Sequence, residues 1–510
     1  MPGGRDIREG HAGLPRAVSP LRPAVLSIDI GSSSVRSCLF GEGGTAVADT
    51  AARRKHRFAF ADGGRVEADP DVLAGLVEHC IDETLRGPGA AAHHIAAVAF
   101  ATFLHGLIGA DRAGRALTPV ITWADSRSVE QSVRLGSLLD PEELRQRTGC
   151  PVHTAYFPSK LLWFRECLPG VFGQVRWWCT IGEYCLRQFT GSAVCSLSMA
   201  SGTGLLNRRT GRWDGELLSA LGVEESLLSP VGDLDSPIRG TLPRYSLRWP
   251  ALRDSAWFPP LSDGACSNVG CGCESTDRIA LMIGTTGAMR AVREAAGAPV
   301  PRGLWAYRMD RRREMVGGVL GDGGNLFEWM SGSLGHGLAL EQVDAALLAA
   351  VPAGHGLAVL PFLTGERSTG WDARARGAVC GLRWDTKGLD ILQAGVEAVA
   401  YRFAAILAAL RPAAHGARDL IGTGGALRSS SAWGQILADV LEVPLGSADE
   451  PEASSRGAAL LVLECLGLIA DPASVRPPLA RTFFPRADAA AAHRAAFQRQ
   501  ERLRAALSEH

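Results

Sequence analysis

Two short phrases and a carboxylate between them carry the chemistry open to this sequence. Residues 24–40 read AVLSIDIGSSSVRSCLF: an apolar run ends in Asp29, passes through Gly31, Ser32, Ser33 and Ser34, and returns into a second apolar run. That is the pattern of a β-hairpin with a polar tip. Gly31 lets backbone approach a ligand closely, and the hydroxyls and turn N–H groups can converge on one anionic group, so a phosphate suits the tip. Asp29, closing a buried strand beside such a site, is placed to hold a hydrated Mg2+. On its own the stretch fits a Gly-Ser hairpin with a solvated Asp equally well. Residues 278–292, RIALMIGTTGAMRAV, repeat the phrase, with Gly284 where Gly31 stood and Thr285, Thr286 and Gly287 after it. Two such hairpins imply two similar domains facing one ligand.

Asp263 stands in LSDGACSNV, shortly before the second hairpin and at the expected domain junction. An Asp-Gly pair ordinarily marks a turn, but a carboxylate here can also face a cleft from its hinge side. Late in the chain, DLIGTGGA runs a short strand into Gly424 and Gly425 at the start of a helix. A glycine-rich strand-to-helix turn lets backbone lie flat against a nucleotide, and a helix N-terminus favours anions. His105, Trp123 and Asp125 fall at the ends of neighbouring buried strands, where open α/β sheets bind ligands. Together they suit a sugar floor, an aromatic face ringed by hydrogen-bonding groups. Singly, His105 fits a core histidine, Trp123 core packing and Asp125 a helix cap.

The elements that must position these residues alternate between strand and helix. Strands are expected at 95–101, 119–122, 357–363 and 419–422, with a third strand of the first hairpin at 43–50. Helices are expected at 71–86, 159–166, 181–189, 389–410, 429–442 and over the last 27 residues. Residues 238–260, with scattered prolines and no clear period, read as a connection between domains. At 510 residues the chain exceeds what one core supports, so two domains are expected. The boundaries read as a flexible tail at 1–21, an N-terminal domain at 22–265 and a C-terminal domain at 266–510.

With 53 basic and 53 acidic residues the net charge is zero, which points to no nucleic-acid and no membrane partner. The first 20 residues lack an apolar core, so they read as a tail and not a signal peptide. Twelve cysteines without a CxxC pair fit reduced thiols in a cytoplasmic protein. Only Lys55, Lys160 and Lys387 supply lysine, none preceded by glycine, so there is no Walker A loop. GxGxxG after the first strand, HRD and GxSxG are absent as well, against a Rossmann dehydrogenase, a protein kinase and a serine hydrolase. Two phosphate hairpins, a nucleotide turn and a carboxylate between them remain. Phosphoryl transfer to an alcohol needs those parts: donors around the phosphates, Mg2+ to offset charge, and a base for the attacking hydroxyl.

The ordered phrases SIDIGSSSVRSCLF, FLHGLIGADRAGRALTPVITWADSRS, GEYCLRQFTG, SDGACSNVG, MIGTTGAMR, PFLTGERSTGWDARARGAVCGL and GTGGALRSSSAWGQILADV resemble the FGGY carbohydrate kinases over nearly all of residues 22–500. The resemblance implies an α/β protein of two ribonuclease H-like, actin-like ATPase domains closing on sugar and ATP. It implies Asp263 as catalytic base and sugar contact, Asp29 as the Mg2+-linked aspartate, and Gly31, Ser32 and Ser33 with Arg36 as first phosphate loop. Gly284, Thr285 and Thr286 match the second loop, Gly424 and Gly425 the adenosine turn, and His105, Trp123 and Asp125 the sugar contacts. The phrases are most similar to gluconate kinases. Phe103 and Leu104 replace the Gln-Met usual in xylulose kinases, and Thr423 and Ala426 depart from the usual adenosine motif. Another sugar or polyol kinase and a non-catalytic sensor stay open as alternatives, as does a homodimer. No cationic partner for a gluconate carboxylate can be picked from the sequence.

Overall fold

In a computed structural model, residues 21–508 are described apart from 296, 335 and 336; the tail expected at 1–21 therefore lies, but for Leu21, outside the described residues. The first half is built on β1 (Arg22–Ile30), β2 (Ser34–Gly41), β3 (Ala52–Lys55), helix α1 (Pro70–Arg86) and β4 (His93–Thr102), joined by β5 (Ile238–Arg239), β6 (Ala256–Trp257) and β7 (Leu261–Ser262). They form one seven-stranded sheet in the order β5-β6-β4-β1-β2-β3, with β7 also on β4. Helix α2 (Asp263–Gly270) leads into the second half. There β8 (Arg278–Ile283), β9 (Gly287–Glu294), β10 (Trp305–Arg308), β11 (Arg313–Leu320), helix α3 (Gly324–Ser333), helix α4 (Gly388–Leu410), β12 (Asp419–Thr423), helix α5 (Ser431–Leu441), β13 (Leu445–Ala448), helix α6 (Ala453–Cys465) and β14 (Leu479–Phe483) follow. The second sheet also has seven strands, ordered β10-β11-β9-β8-β12-β13-β14.

The sheets share a plan. In each, an antiparallel hairpin (β1–β2, β8–β9) is flanked by a parallel strand on the side of its first member (β4, β12). Central strands covered on both faces must be apolar throughout, and β1 is buried from Ala24 to Ile30. On one face sits α1, started by Pro70 and capped by Asp69, whose carboxylate accepts from the Asp71 and Val72 N–H groups. In the second half α4 is apolar almost all round, and it beds against the sheet where glycines leave room. A Cβ on Gly287 would meet Phe403 at 2.7 Å, and one on Gly318 would meet Ile406 at 2.8 Å. The run Gly388–Ala413 is long and apolar enough to span a membrane, and most of it is buried inside this protein.

The halves are not independent. Helix α6, from the second half of the chain, covers the face of the first sheet opposite α1 and packs on α2. Backbone meets backbone there: a Cβ on Gly457 would lie 1.8 Å from the Cys266 carbonyl, and one on Gly270 1.8 Å from that of Ala453. Arg456 ties the junction by donating to the Gly44 and Gly270 carbonyls, and Ser27 Oγ donates to the Ser455 carbonyl at 2.7 Å.

Several expectations need correction. Residues 238–260 are not merely a connection, because β5 and β6 within them complete the first sheet; two-residue strands are too short to show a period. Residues 43–50 hold a turn with a single bridge, Phe40 to Ala46, and the third strand is β3. The strand expected at 357–363 is Ala358–Leu360, in a separate two-stranded sheet. A buried helix outside the expected set, Leu197–Thr203, is held by the Ser196 cap despite its poor intrinsic propensity.

Candidate active site

Both hairpin tips are built for close backbone approach, and each is braced differently. At the first, Gly31 N–H donates to the Ser34 carbonyl at 3.0 Å. His56 closes it from the side, its Nε2 donating to the Gly31 carbonyl and its backbone N–H to that of Ser33. Ser32 and Ser33 are exposed at the end. At the second, Gly284 N–H donates to the Thr286 carbonyl at 3.0 Å, and the turn before α3 closes on it: Gly323 and Asn325 donate to Thr285, Gly324 to Gly284. The second tip thus rests on the start of a helix, whose first N–H groups are spent on bracing the loop and on the Asn325 side chain.

The acidic groups gather at the first hairpin. Asp29 is buried at the end of β1, directly across the ladder from Arg36. Arg36 donates from Nε to Ser34 Oγ at 3.2 Å. Its Nη1 donates to Glu452, just before α6, at 2.8 Å and lies 3.5 Å from Asp29, joining the two halves beneath the loop. Burial pushes Asp29 up to about 7; Arg36 opposes this, while Asp263 and Glu452 add to it. Asp263 is the first residue of α2, aimed by the Ser262 cap, which accepts from Ala265 N–H and is braced by Ser198. Its Oδ1 accepts from Gly264 N–H at 2.7 Å, leaving Oδ2 for a ligand. Burial raises its pKa too, and Arg290, packed beside Gly264, holds it down.

Among the described residues no cluster of three or more His, Cys, Asp or Glu side chains could cage a metal. Mg2+ rarely needs one, since it keeps waters and binds through one or two carboxylates plus phosphate oxygens. Asp29, a buried carboxyl at the end of β1, fits that donor set in its ionised form.

Between the second tip and the glycine turn lies a cavity of about 670 Å3, lined by Gly284, Thr285, Asn325, Gly425, Ser429 and Trp433, among others. Gly424 is sterically compulsory: its φ is 100°, and a Cβ would fall 2.1 Å from the Ile283 carbonyl. Gly425 opens onto free space, so a side chain there would enter the cavity.

His105, Trp123 and Asp125 are near one another but differently committed. Asp125 is spent on structure: its carboxylate accepts from Val66 N–H at 2.9 Å and from Arg127 through both Nε and Nη2. His105, at φ 68°, donates from Nδ1 to the Gly202 carbonyl at 2.6 Å, which leaves Nε2 as an acceptor. Burial, with the fields of Arg367 and Lys160, keeps it neutral. Trp123 is half-buried, with the Arg367 guanidinium 5.7 Å from its ring centre.

Five residues of this region escape a sequence reading. Lys160 is buried, donates to the His105 and Ile121 carbonyls, and is pushed down to about 7 by burial; its rarity as one of three lysines was the available signal. Tyr156 and Tyr307, one from each half, share a hydrogen bond of 2.6 Å and enclose His105. Arg290 and Arg367 complete the wall. Arg367 stands inside the phrase PFLTGERSTGW, where only its neighbourhood to a Gly-Glu pair marked it.

The sequence profiles of the FGGY family of carbohydrate kinases match this chain twice, the N-terminal domain over residues 24–244 and the C-terminal domain over residues 280–463. A gluconokinase of Bacillus subtilis is 26% identical over 460 residues, covering 87% of this chain and 88% of its own. Among solved structures, a gluconate kinase from Lactobacillus acidophilus superposes with a TM-score of 0.86 at 26% identity, covering 95% of this chain and 98% of its own. A ligand-bound xylulose kinase from the same organism gives 0.87, also at 26% identity, with the same coverage. With both domain profiles matched in order on a two-domain α/β fold, the chain belongs to the FGGY family of carbohydrate kinases, phosphotransferases that use an alcohol as acceptor.

Proposed function

We propose that this kinase transfers the γ-phosphoryl group of ATP to the terminal hydroxyl of a sugar acid, converting D-gluconate to 6-phosphogluconate. The observation that carries the reading is the position of Asp263: a carboxylate on a capped helix start, partly open, with one oxygen held by Gly264 and burial raising its basicity. Asp263 takes the hydroxyl proton as the acceptor oxygen bonds to the γ-phosphorus. The bond from that phosphorus to the β–γ bridging oxygen breaks, and ADP leaves. Gly31 to Ser33 and Gly284 to Thr286 hold the phosphates from two sides, and Gly424 and Gly425 form the floor under the adenosine. Asp29 is the Mg2+ residue; the ion, when bound, offsets charge on the transferring phosphates. His105 Nε2 accepts a sugar hydroxyl, and Trp123 offers its face. Asp125 acts on the sugar through Arg127 and the Val66 strand, by fixing the wall that carries Trp123. Reduced cysteines and the absence of any disulfide among the described residues support a cytoplasmic protein.

The fold likeness to a xylulose kinase supports a second reading, a ketose acceptor. Coupled ADP release across D-gluconate, D-xylulose, L-ribulose and glycerol separates the two. With the preferred acceptor, Asp263→Asn is expected to lower kcat by about 10²–10⁴-fold while ATP still binds by calorimetry. Full turnover in that variant would remove Asp263 from the role of base.

A further inference from the structure

The acceptor wall contains a cation with nothing to balance it. Arg127 is held by Asp125 and Glu67, Arg402 by Glu501, and Arg208 by Glu314. Arg367 has no ion pair and no side-chain hydrogen bond among the described residues, and its Nε is wholly buried without a partner. The guanidinium instead lies between two indoles, 5.7 Å from the ring centre of Trp123 and 5.8 Å from that of Trp371.

Its backbone is fixed. Ser368 N–H donates to the Val319 carbonyl and its Oγ accepts from Val319 N–H, both at 3.0 Å. Trp371 N–H returns to the Arg367 carbonyl at 2.6 Å, and Trp371 Nε1 donates to the Gly303 carbonyl. A rigidly held guanidinium, partly desolvated, with five donors and no counter-ion, is costly to keep unless a ligand supplies the anion. A planar carboxylate matches the guanidinium fork in geometry and charge.

The neighbouring groups agree on the sign. The nearby Lys160 amine offers a further donor, and no carboxylate figures among the groups acting on Arg367, only the Tyr156 and Tyr307 hydroxyls. His153 accepts from Ala155 N–H at Nδ1, which puts its proton on Nε2 as a further donor. Asp263 has Arg290 as its cationic neighbour, and the Tyr307 hydroxyl, bonded to that of Tyr156, acts on both Arg290 and Arg367, so the tyrosine pair links the base to the unpaired guanidinium.

We propose that Arg367 is the carboxylate anchor of the acceptor site, pairing with the C1 carboxylate of an aldonic acid whose terminal hydroxyl lies at Asp263. The inference rests on the kinase reading for its second half only; the anion site at Arg367 stands without turnover.

The test is acceptor binding without nucleotide, followed by tryptophan fluorescence and calorimetry, with D-gluconate and D-glucitol as a matched pair differing at C1. The wild type is expected to prefer D-gluconate. Arg367→Met, which keeps the apolar stem between the indoles, is expected to collapse the gluconate-to-glucitol affinity ratio by about 10–100-fold. Arg367→Lys is expected to restore part of it, because it returns the charge but not the fork, and serves as a second variant if the Met protein is unstable. A wild type without preference, or a ratio unchanged in both variants, overturns the proposal. Preference for D-gluconate without phosphoryl transfer would sink the kinase reading and leave the anchor intact. Transfer to neutral acceptors only, unaltered in ratio by either variant, would do the reverse.

Discussion

The two hairpins, one in each seven-stranded sheet, have the same frame and opposite chemistry. Two residues before the tip glycine the first carries Asp29 and the second Met282; across the ladder from those positions stand Arg36 and Ala288. The first tip is braced by a histidine and backed by an ion network that reaches Glu452, while the second is braced by the start of α3. A repeated fold supplied two loops able to approach phosphates. A facing carboxylate and guanidinium beside the tip were placed on the first only; on the proposed reading, cation binding and proton transfer then fall to the first half and the nucleotide to the second.

The largest expected effect follows from erasing that asymmetry. Asp29→Asn makes the first hairpin as neutral as the second, and turnover is expected to fall at least about 100-fold, the scale on which metal-site partners act. The same change should stabilise the free protein at alkaline pH. Asp29 is raised from 3.8 to about 7, so the folded state binds a proton that the unfolded state has released. Stability is therefore lost as pH rises from about 4 to about 7, at about 1.4 kcal/mol per pKa unit. Thermal melts of the nucleotide-free wild type should fall more steeply across that window than those of the Asn variant, which keeps Asp263 and the other raised carboxyls. Parallel curves would mean that Asp29 is not the strained group of the site.

On the other side, Gly284→Val tests the uncharged hairpin by volume. A Cβ on Gly284 meets only Met282 Sδ, at 3.6 Å, so the fold tolerates it and the added methyls enter the space before α3. The KM for ATP is expected to rise about 10-fold, roughly 1.4 kcal/mol, with kcat less affected. Unaltered nucleotide affinity in calorimetry would take the second tip out of the phosphate site.

The frame of this comparison was legible in the sequence because it is local. Both hairpins, the helix 389–410 and the glycine turn follow from period, turn residues and apolar runs. Asp263 and Asp29 were found through their neighbours in sequence, and the family resemblance assigned their roles. What stayed hidden depends on distant contacts. Arg36 was read with the phosphate loop, and nothing local shows that Glu452, over 400 residues away, takes its Nη1. Asp125 was read as a sugar contact, and nothing local shows that Val66 and Arg127 already occupy its oxygens. Arg367 is the opposite case: one guanidinium among many arginines, distinguished by having, among the described residues, neither an ion pair nor a carboxylate acting on it, which no sequence displays. The β5 and β6 strands were missed because two residues in a sheet carry no pattern of their own.

The smallest expected effect decides whether the two hairpins act on one ligand. Ser33→Ala and Thr285→Ala each remove one exposed hydroxyl from a tip whose backbone bonds remain, so each should weaken ATP by only a few-fold, about 0.5–1 kcal/mol. The informative quantity is their combination. Residues far apart and without shared partners add, whereas groups that grip the same ligand couple by about 0.5 kcal/mol or more. If both tips hold one triphosphate, the first substitution lets it shift and the second then costs something other than its value alone. A double-mutant cycle on ATP affinity should therefore depart from additivity, while the same cycle on thermal stability of the free protein should not. Strict additivity in both would mean that the two hairpins, alike in frame, serve separate ligands, and the division of labour between them would have to be redrawn.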